Sequence, residues 1–354
     1  MVFYILLAIL LFGLLIAVHE WGHFITAKLL GVQVNEFSIG MGPLLYSKKK
    51  GETLYSLRAI PMGGYCAMEG EDEEVNSTGS FSTKPLWKKL IILVAGAFMN
   101  FVAGLLIMLV LFSQSEAFTV PVISGFADGF AYESEEGLMV GDEILSIDGH
   151  KVSIYSDVSM YFTLSNGETM DLVVQRGENQ VKLNNFPLKL REHTTETGET
   201  VTRYGLDFTR VDATPSLILQ QSWDTTLYFA RSVWLGLSML VKGDVSVGEM
   251  AGPVGIVSLI GETGVQSSSI LDGMKNVFYI IALVSVNLAI MNLLPIPALD
   301  GGRIFLLLVG KVFYLFTRRT IDPKYEGYLH AIGFALLILL MLTVTFQDIL
   351  RLVR

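Results

Sequence analysis

The sequence predicts a polytopic α-helical membrane protein of four spans, with a membrane-associated β-hairpin or small sheet and one extracytoplasmic α+β domain. Three observations carry this expectation. Hydrophobic residues fill 51% of the 354 positions and charged residues only 17%, and the mean hydropathy is +0.52. These values belong to an integral membrane chain rather than an ordinary soluble one. Several stretches run apolar for the ~20 residues a helix needs to cross a bilayer. Residues 118–212, by contrast, are acidic and alternate as strands do. The net charge of -9 offers no footing for nucleic acid. One cysteine, Cys66, excludes an intramolecular disulfide and a multi-cysteine metal site and reads as a packed thiol.

The first span covers residues 1–30, uncharged from Met1 to Val18. It has no basic leader, the first lysine being Lys28, so it reads as a retained span rather than a cleaved signal. Lys28, Lys48, Lys49 and Lys50 follow it and no basic residue precedes it, which puts the N-terminus outside and Lys28 at the cytoplasmic face. Residues 31–89 form a cytoplasmic or re-entrant β segment and a loop. Val32–Ile39 and Leu54–Ile60 alternate, Gly40–Pro43 and Lys48–Gly51 are expected to turn, and Pro61–Gly64 to end the sheet. Glu69–Glu74 reads as solvated loop and Trp87–Lys89 as an interface. The second span is 90–112, where Gly96, Asn100 and Gly104 read as helix-packing residues.

Residues 113–215 form the extracytoplasmic domain, with a strand expected at Glu143–Ile147 and a turn at Asp148-Gly149. His150 and His193 lie in it, across the membrane from the first span's inner end, and are not expected to bind metal. Residues 216–275 begin with an apolar stretch interrupted by Gln220, Gln221, Asp224 and Arg231, followed by a Gly-rich connection at 251–256. The third span is 276–302, the cytoplasmic loop 303–327 is marked by Arg303, Lys311, Arg318 and Arg319, and the last span and tail occupy 328–354. Both termini are then extracytoplasmic.

His19-Glu20-Trp21-Gly22-His23 is an H-E-x-x-H pattern. On a helix it stacks two imidazoles on one face, the spacing that Zn2+ takes from a single helix, and leaves the glutamate off the metal as a general base. Lys28 places the two histidines roughly 8–14 Å below the cytoplasmic face. A hydrolytic zinc site wants a third protein ligand and an open position. Asp300 is the favoured candidate, with His330 at the start of the last span as the alternative; Asp224 falls on the outer side. For Asp300 to share the depth of the histidines, one span must intervene, so 217–241 is expected to lie as an amphipathic helix on or in the outer leaflet. Two neutral histidines and a carboxylate leave zinc at a net +1, which Glu20 offsets.

Gly137-Leu-Met-Val-Gly-Asp-Glu-Ile-Leu-Ser-Ile-Asp-Gly149 resembles the signature of PDZ domains, which bind peptides by strand addition. With H-E-W-G-H in the first span and N-L-L-P-I-P-A-L-D-G-G at 292–302, the chain resembles the site-2 protease family of intramembrane zinc metalloproteases, nearest the regulator of sigma-E protease (RseP) group. The resemblance implies His19, His23 and Asp300 as zinc ligands and Glu20 as the catalytic glutamate. It matches Asn292 to a substrate-handling asparagine, and Gly40 and Gly42 to the G-x-G of a membrane-re-entrant β-hairpin. It implies that 217–275 helps to gate substrate access, and a place in the cell's inner (cytoplasmic) membrane with the site near the cytoplasmic side. The implied substrates are single-span membrane proteins, such as anti-sigma factors, or remnant signal peptides. Some members carry tandem PDZ domains; one copy is visible here.

The expected reaction is peptide hydrolysis inside the membrane, with the edge of the 31–66 sheet holding an unwound substrate segment. Two other classes make different demands. A PDZ scaffold with structural zinc would want four protein ligands, and the sequence offers three good ones. A zinc or proton transporter would want more spans and paired half-helices.

Overall fold

In the computed structural model, residues 1–353 are described except 72–74, 76, 129, 166–168, 189, 195–199, 247–251 and 320–322. The chain divides into two compact units, Met1–Met108 with Phe229–Arg354, and Leu109–Tyr228.

The first unit opens with α1 (Val2–Leu29), apolar all round from Val2 to Val18. Its buried stripe is Tyr4, Ala8, Leu11, Leu15, His19, Gly22, His23 and Ala27, while Phe3, Leu6, Leu10, Leu14 and Trp21 are exposed. The helical period therefore carries both histidines onto the protein-facing side and turns bulky apolar residues toward lipid. Two long antiparallel strands follow, β1 (Val34–Lys50) and β2 (Thr53–Met68). They double back on themselves. Ile39 faces Gly64 on one side and Leu57 on the other, and Leu57 in turn faces Tyr46.

The expected turn at Gly40–Pro43 and the expected end at Pro61–Gly64 are both bends inside continuous strands. Gly40, Gly42 and Gly63 adopt φ of 84°, 80° and 103°, so the strands fold over without losing their ladder. A Cβ at Gly40 would stand 2.7 Å from the Ile60 carbonyl oxygen. Arg58 pins the bend, donating to the Gly42 carbonyl at 2.9 Å and to Glu36 at 2.9 Å. Beyond it Met41, Leu44, Leu45, Tyr46 and Ile60 are exposed and apolar. α2 (Leu86–Phe112) then runs on into the second unit.

In the second unit, β3 (Ala117–Phe126), β4 (Glu143–Ile147), β5 (His150–Lys151), β6 (Met170–Arg176), β7 (Asn179–Phe186) and β10 (Leu206–Asp212) form a six-stranded sheet ordered β10-β3-β4-β6-β7, with β5 paired to β4. β8 (Arg191–Thr194) and β9 (Thr200–Arg203) make a separate pair, and α3 (Tyr155–Leu164) completes the α+β unit. Asp148 and Gly149, at φ of 48° and 78°, supply the two left-handed residues of a tight β4–β5 hairpin. Ile144, Ile147, Val158, Phe162, Leu172 and Val174 anchor the core. Arg176 holds the preceding loop by donating to both Asp142 oxygens and to the carbonyls of Glu135 and Gly137. His150 stacks on Tyr161; the side chain of His193 lies outside the described residues.

α4 (Pro215–Lys242) begins in the second unit and ends in the first. The residues expected to be a Gly-rich connection instead start a helix, α5 (Pro253–Gln266). Proline suits the first turn, where its missing N–H would be unpaired anyway. The neighbouring N–H groups of Gly252 and Gly255 donate to the Asp348 carboxylate at 3.2 and 2.8 Å. α6 (Ile270–Asn292) stops before the expected end of its span. Pro295 and Pro297 lack the N–H groups that would continue it. The chain restarts as α7 (Asp300–Thr317), a helix where a loop had been expected, and ends in α8 (Pro323–Val353). Among the described residues, four helices are long and apolar enough to cross a membrane: Val2–Leu29, Leu86–Phe112, Ile270–Asn292 and Gly327–Arg351.

Candidate metal centre

Three side chains from two helices converge. One turn of α1 separates His19 from His23 and brings their Nε2 atoms to 3.1 Å. Asp300, the first residue of α7, sets its Oδ2 at 3.2 Å from His19 Nε2 and 3.3 Å from His23 Nε2. Four tetrahedral ligand atoms at the usual Zn–N and Zn–O lengths stand roughly 3.3 Å apart. The three donors thus occupy one face of such a tetrahedron and leave the fourth corner open. Asp300 Oδ2 is buried and makes no ordinary hydrogen bond. A buried carboxylate oxygen facing two imidazole nitrogens needs a cation to offset its desolvation. These residues fit zinc.

The imidazoles are held from α2. His23 Nδ1 donates to the Ile92 carbonyl at 2.8 Å, which leaves Nε2 free for a metal. His19 Nδ1 lies 3.4 Å from Asn100 Nδ2 and 3.5 Å from Nδ2 of Asn292, the last residue of α6. Between Ile92 and Asn100, Gly96 makes room: a Cβ there would stand 2.7 Å from His19 Cε1 and would overlap His23 Nε2. Sequence reasoning placed Gly96 and Asn100 in helix packing; the available signal was a polar residue inside an apolar span, one turn beyond a glycine.

Glu20 is not one of the three converging donors. It lies against the last stretch of β2, its Cγ 3.5 Å from where a Cβ on Gly64 would stand and its carboxylate on the side of the Cys66 backbone N–H. Gly64–Met68 pairs only with Val34–Ile39 among the described residues, so it is an outer strand, and Glu20 stands at its other edge. Gly40 and Gly42 sit in the bend of β1, packed against Arg58 and Ile60 rather than against the histidines. His330, the alternative ligand, is engaged elsewhere: its Nδ1 accepts from the Ala298 N–H at 2.9 Å. Arg303 pairs with Glu71, tying the start of α7 to the segment after β2.

The model of peptidase family M50 matches residues 7–340. The chain belongs to peptidase family M50. M50 relatives align along almost the whole chain. A Clostridium perfringens protein provisionally named a zinc metalloprotease is 36% identical over 98% of both chains. The zinc metalloprotease RasP of Oceanobacillus iheyensis is 30% identical over 97% of this chain and 98% of its own. The regulator of sigma-W protease RasP of Bacillus subtilis is 27% identical over 97% of each. As an M50 peptidase with four apolar helices, this is a multi-pass zinc metalloprotease of the site-2 type.

Proposed function

We propose that this M50 protease cleaves peptide bonds within or beside the transmembrane segments of single-span membrane proteins, at zinc held by His19, His23 and Asp300. The observation that carries the reading is the three-donor face beside Glu20 and the outer strand Gly64–Met68. Bound zinc supplies Lewis acidity toward a water and the scissile carbonyl. Glu20 takes the proton from the attacking water and returns it to the leaving amine. The Cys66 N–H faces that carboxylate. Asn292, at the end of α6, donates its amide to the substrate carbonyl as charge develops there. A helix hides its own carbonyls, so the substrate must unwind first; the edge at Gly64–Met68 then holds it as an added strand. Gly40 and Gly42 give the hairpin the bend that puts this edge beside Glu20.

The name of the Bacillus subtilis relative, a regulator of sigma-W protease, supports anti-sigma factors as the substrate class, with remnant signal peptides as the related one. The basic residues after α1 support a site near the cytoplasmic side of the cell membrane, with both termini extracytoplasmic. The signature at Gly137–Gly149 supports a PDZ-like unit whose groove takes a peptide, and the polar side chains of α4 support a gating segment on the outer side.

The test is cleavage of a single-span reporter by membranes holding wild type or Glu20→Gln. Loss of cleavage in the variant, with zinc retained, is the expected result. Full cleavage by Glu20→Gln would sink the assignment.

A further inference from the structure

We infer that Asn100 is the positioning residue of His19: its amide oxygen accepts the Nδ1–H of that imidazole and holds Nε2 toward the metal. This deepens the proposed function and rests on its assignment of His19, His23 and Asp300 as zinc ligands.

A neutral imidazole that offers Nε2 to a metal carries its proton on Nδ1 and needs an acceptor there. His23 has one in the Ile92 carbonyl. His19 Nδ1 is instead faced by two amide nitrogens, Nδ2 of Asn100 at 3.4 Å and of Asn292 at 3.5 Å. Donor against donor is a mismatch. On the same side chain, Asn100 Oδ1 is buried with no hydrogen-bond partner, and the residue is 1% exposed. An unpaired acceptor this deep is costly. One half-turn of the Asn100 amide gives the His19 Nδ1–H an acceptor and the buried oxygen a donor, since oxygen and nitrogen exchange places without changing the shape.

The backbone is built to hold that amide. Ser285 Oγ on α6 donates to the Asn100 carbonyl at 2.7 Å, and Gly104, one turn on, packs against Val286. Ile92, Gly96 and Asn100 recur every four residues on one face of α2, supplying in turn a carbonyl for His23, space for both rings, and an amide for His19. Asn292 is only partly buried and sits at a helix end. With Asn100 holding His19, the Asn292 amide is released for substrate, so the two asparagines divide the work.

The experiment measures zinc affinity of the purified full chain by competition with a chelator. Asn100→Leu keeps the size but removes the acceptor, and weakens zinc by about 10- to 100-fold. Asn100→Asp keeps an acceptor and no donor, and binds zinc at least as tightly as wild type. Asn292→Leu leaves zinc affinity unchanged and lowers reporter cleavage. Wild-type affinity in Asn100→Leu overturns the inference. So does an Asn100→Asp variant that binds zinc weakly, which would make the side chain a donor, or an Asn292→Leu variant that loses zinc. Should Asn100→Leu fail to fold, the Asp variant decides alone. His19→Ala separates the two readings: unchanged zinc binding in that variant overturns the ligand assignment itself.

Discussion

The Ala298 N–H donates to His330 Nδ1 at 2.9 Å, two residues before Asp300. Ala298 has φ of 78°, a left-handed conformation that a non-glycine residue adopts at a cost of about 1–3 kcal/mol. The last helix therefore holds a strained turn whose next act is to present the carboxylate. Removing the acceptor with His330→Leu is expected to weaken zinc binding by about fivefold, the equivalent of one hydrogen bond near 1 kcal/mol. His330→Asn keeps an acceptor close to the Nδ1 position and should bind zinc like wild type. Adding Ala298→Gly to His330→Leu relieves the strain and should recover part of the loss. Chelator competition on the four proteins reads all of this, and equal affinities throughout would refute the link.

Gly96 sets how closely α2 approaches the motif. The methyl of Gly96→Ala would stand 2.7 Å from His19 Cε1 and 2.8 Å from Nε2. Overpacking of this kind costs ~1–3 kcal/mol, here borne by the two imidazoles. The expected outcome is purified protein with little bound zinc, read by metal analysis, and loss of cleavage in parallel. A full zinc complement would show that α2 can move aside.

The β-hairpin should loosen in acid. Burial pushes the Glu36 carboxyl up, but hydrogen bonds from Ser56, Arg58 and Tyr65 outweigh it and hold the group below its ordinary value of 4.5. A carboxylate held low contributes stability that is present above the ordinary value and is lost as pH falls through the depressed one. Hydrogen exchange in Val34–Met68, corrected for intrinsic rates, should therefore rise as pH drops from about 6 to about 3. In Glu36→Gln the exchange should already be fast at the upper pH and change less. Identical pH profiles would remove Glu36 from the account.

Asp348 caps α5 from α8 through the N–H groups of Gly252 and Gly255. Losing such a cap costs about 0.5–2 kcal/mol. Asp348→Ala should lower the thermal midpoint in detergent, while Asp348→Asn, which keeps one acceptor, falls between it and wild type.

What the sequence disclosed followed from local spacing. Two histidines four apart in an uncharged span point to a metal, and Asp300, favoured over His330 as the third ligand, has its Oδ2 within 3.3 Å of both rings. Local reading failed where tertiary contacts decide. Gly40-Met-Gly-Pro43 has the composition of a turn, yet Arg58 holds Gly42 within a strand. Ala251–Ile256 has the composition of a connection, yet a carboxylate 93 residues beyond Gly255 caps a helix there. Prolines and basic residues after Asn292 suggested a loop, while the apolar residues between them build α7. Asn100 reads locally as packing because the ring beside it is 81 residues earlier in the chain.

Gly64–Met68 lies along Glu20, the general base of the proposed function, as a strand with one side unpaired in the hairpin among the described residues. Such an edge grips main-chain atoms, which every polypeptide carries alike. Under the proposed function, selection would then fall on which helices come apart readily at the right depth, and substrates could drift in sequence while the protease stays as it is.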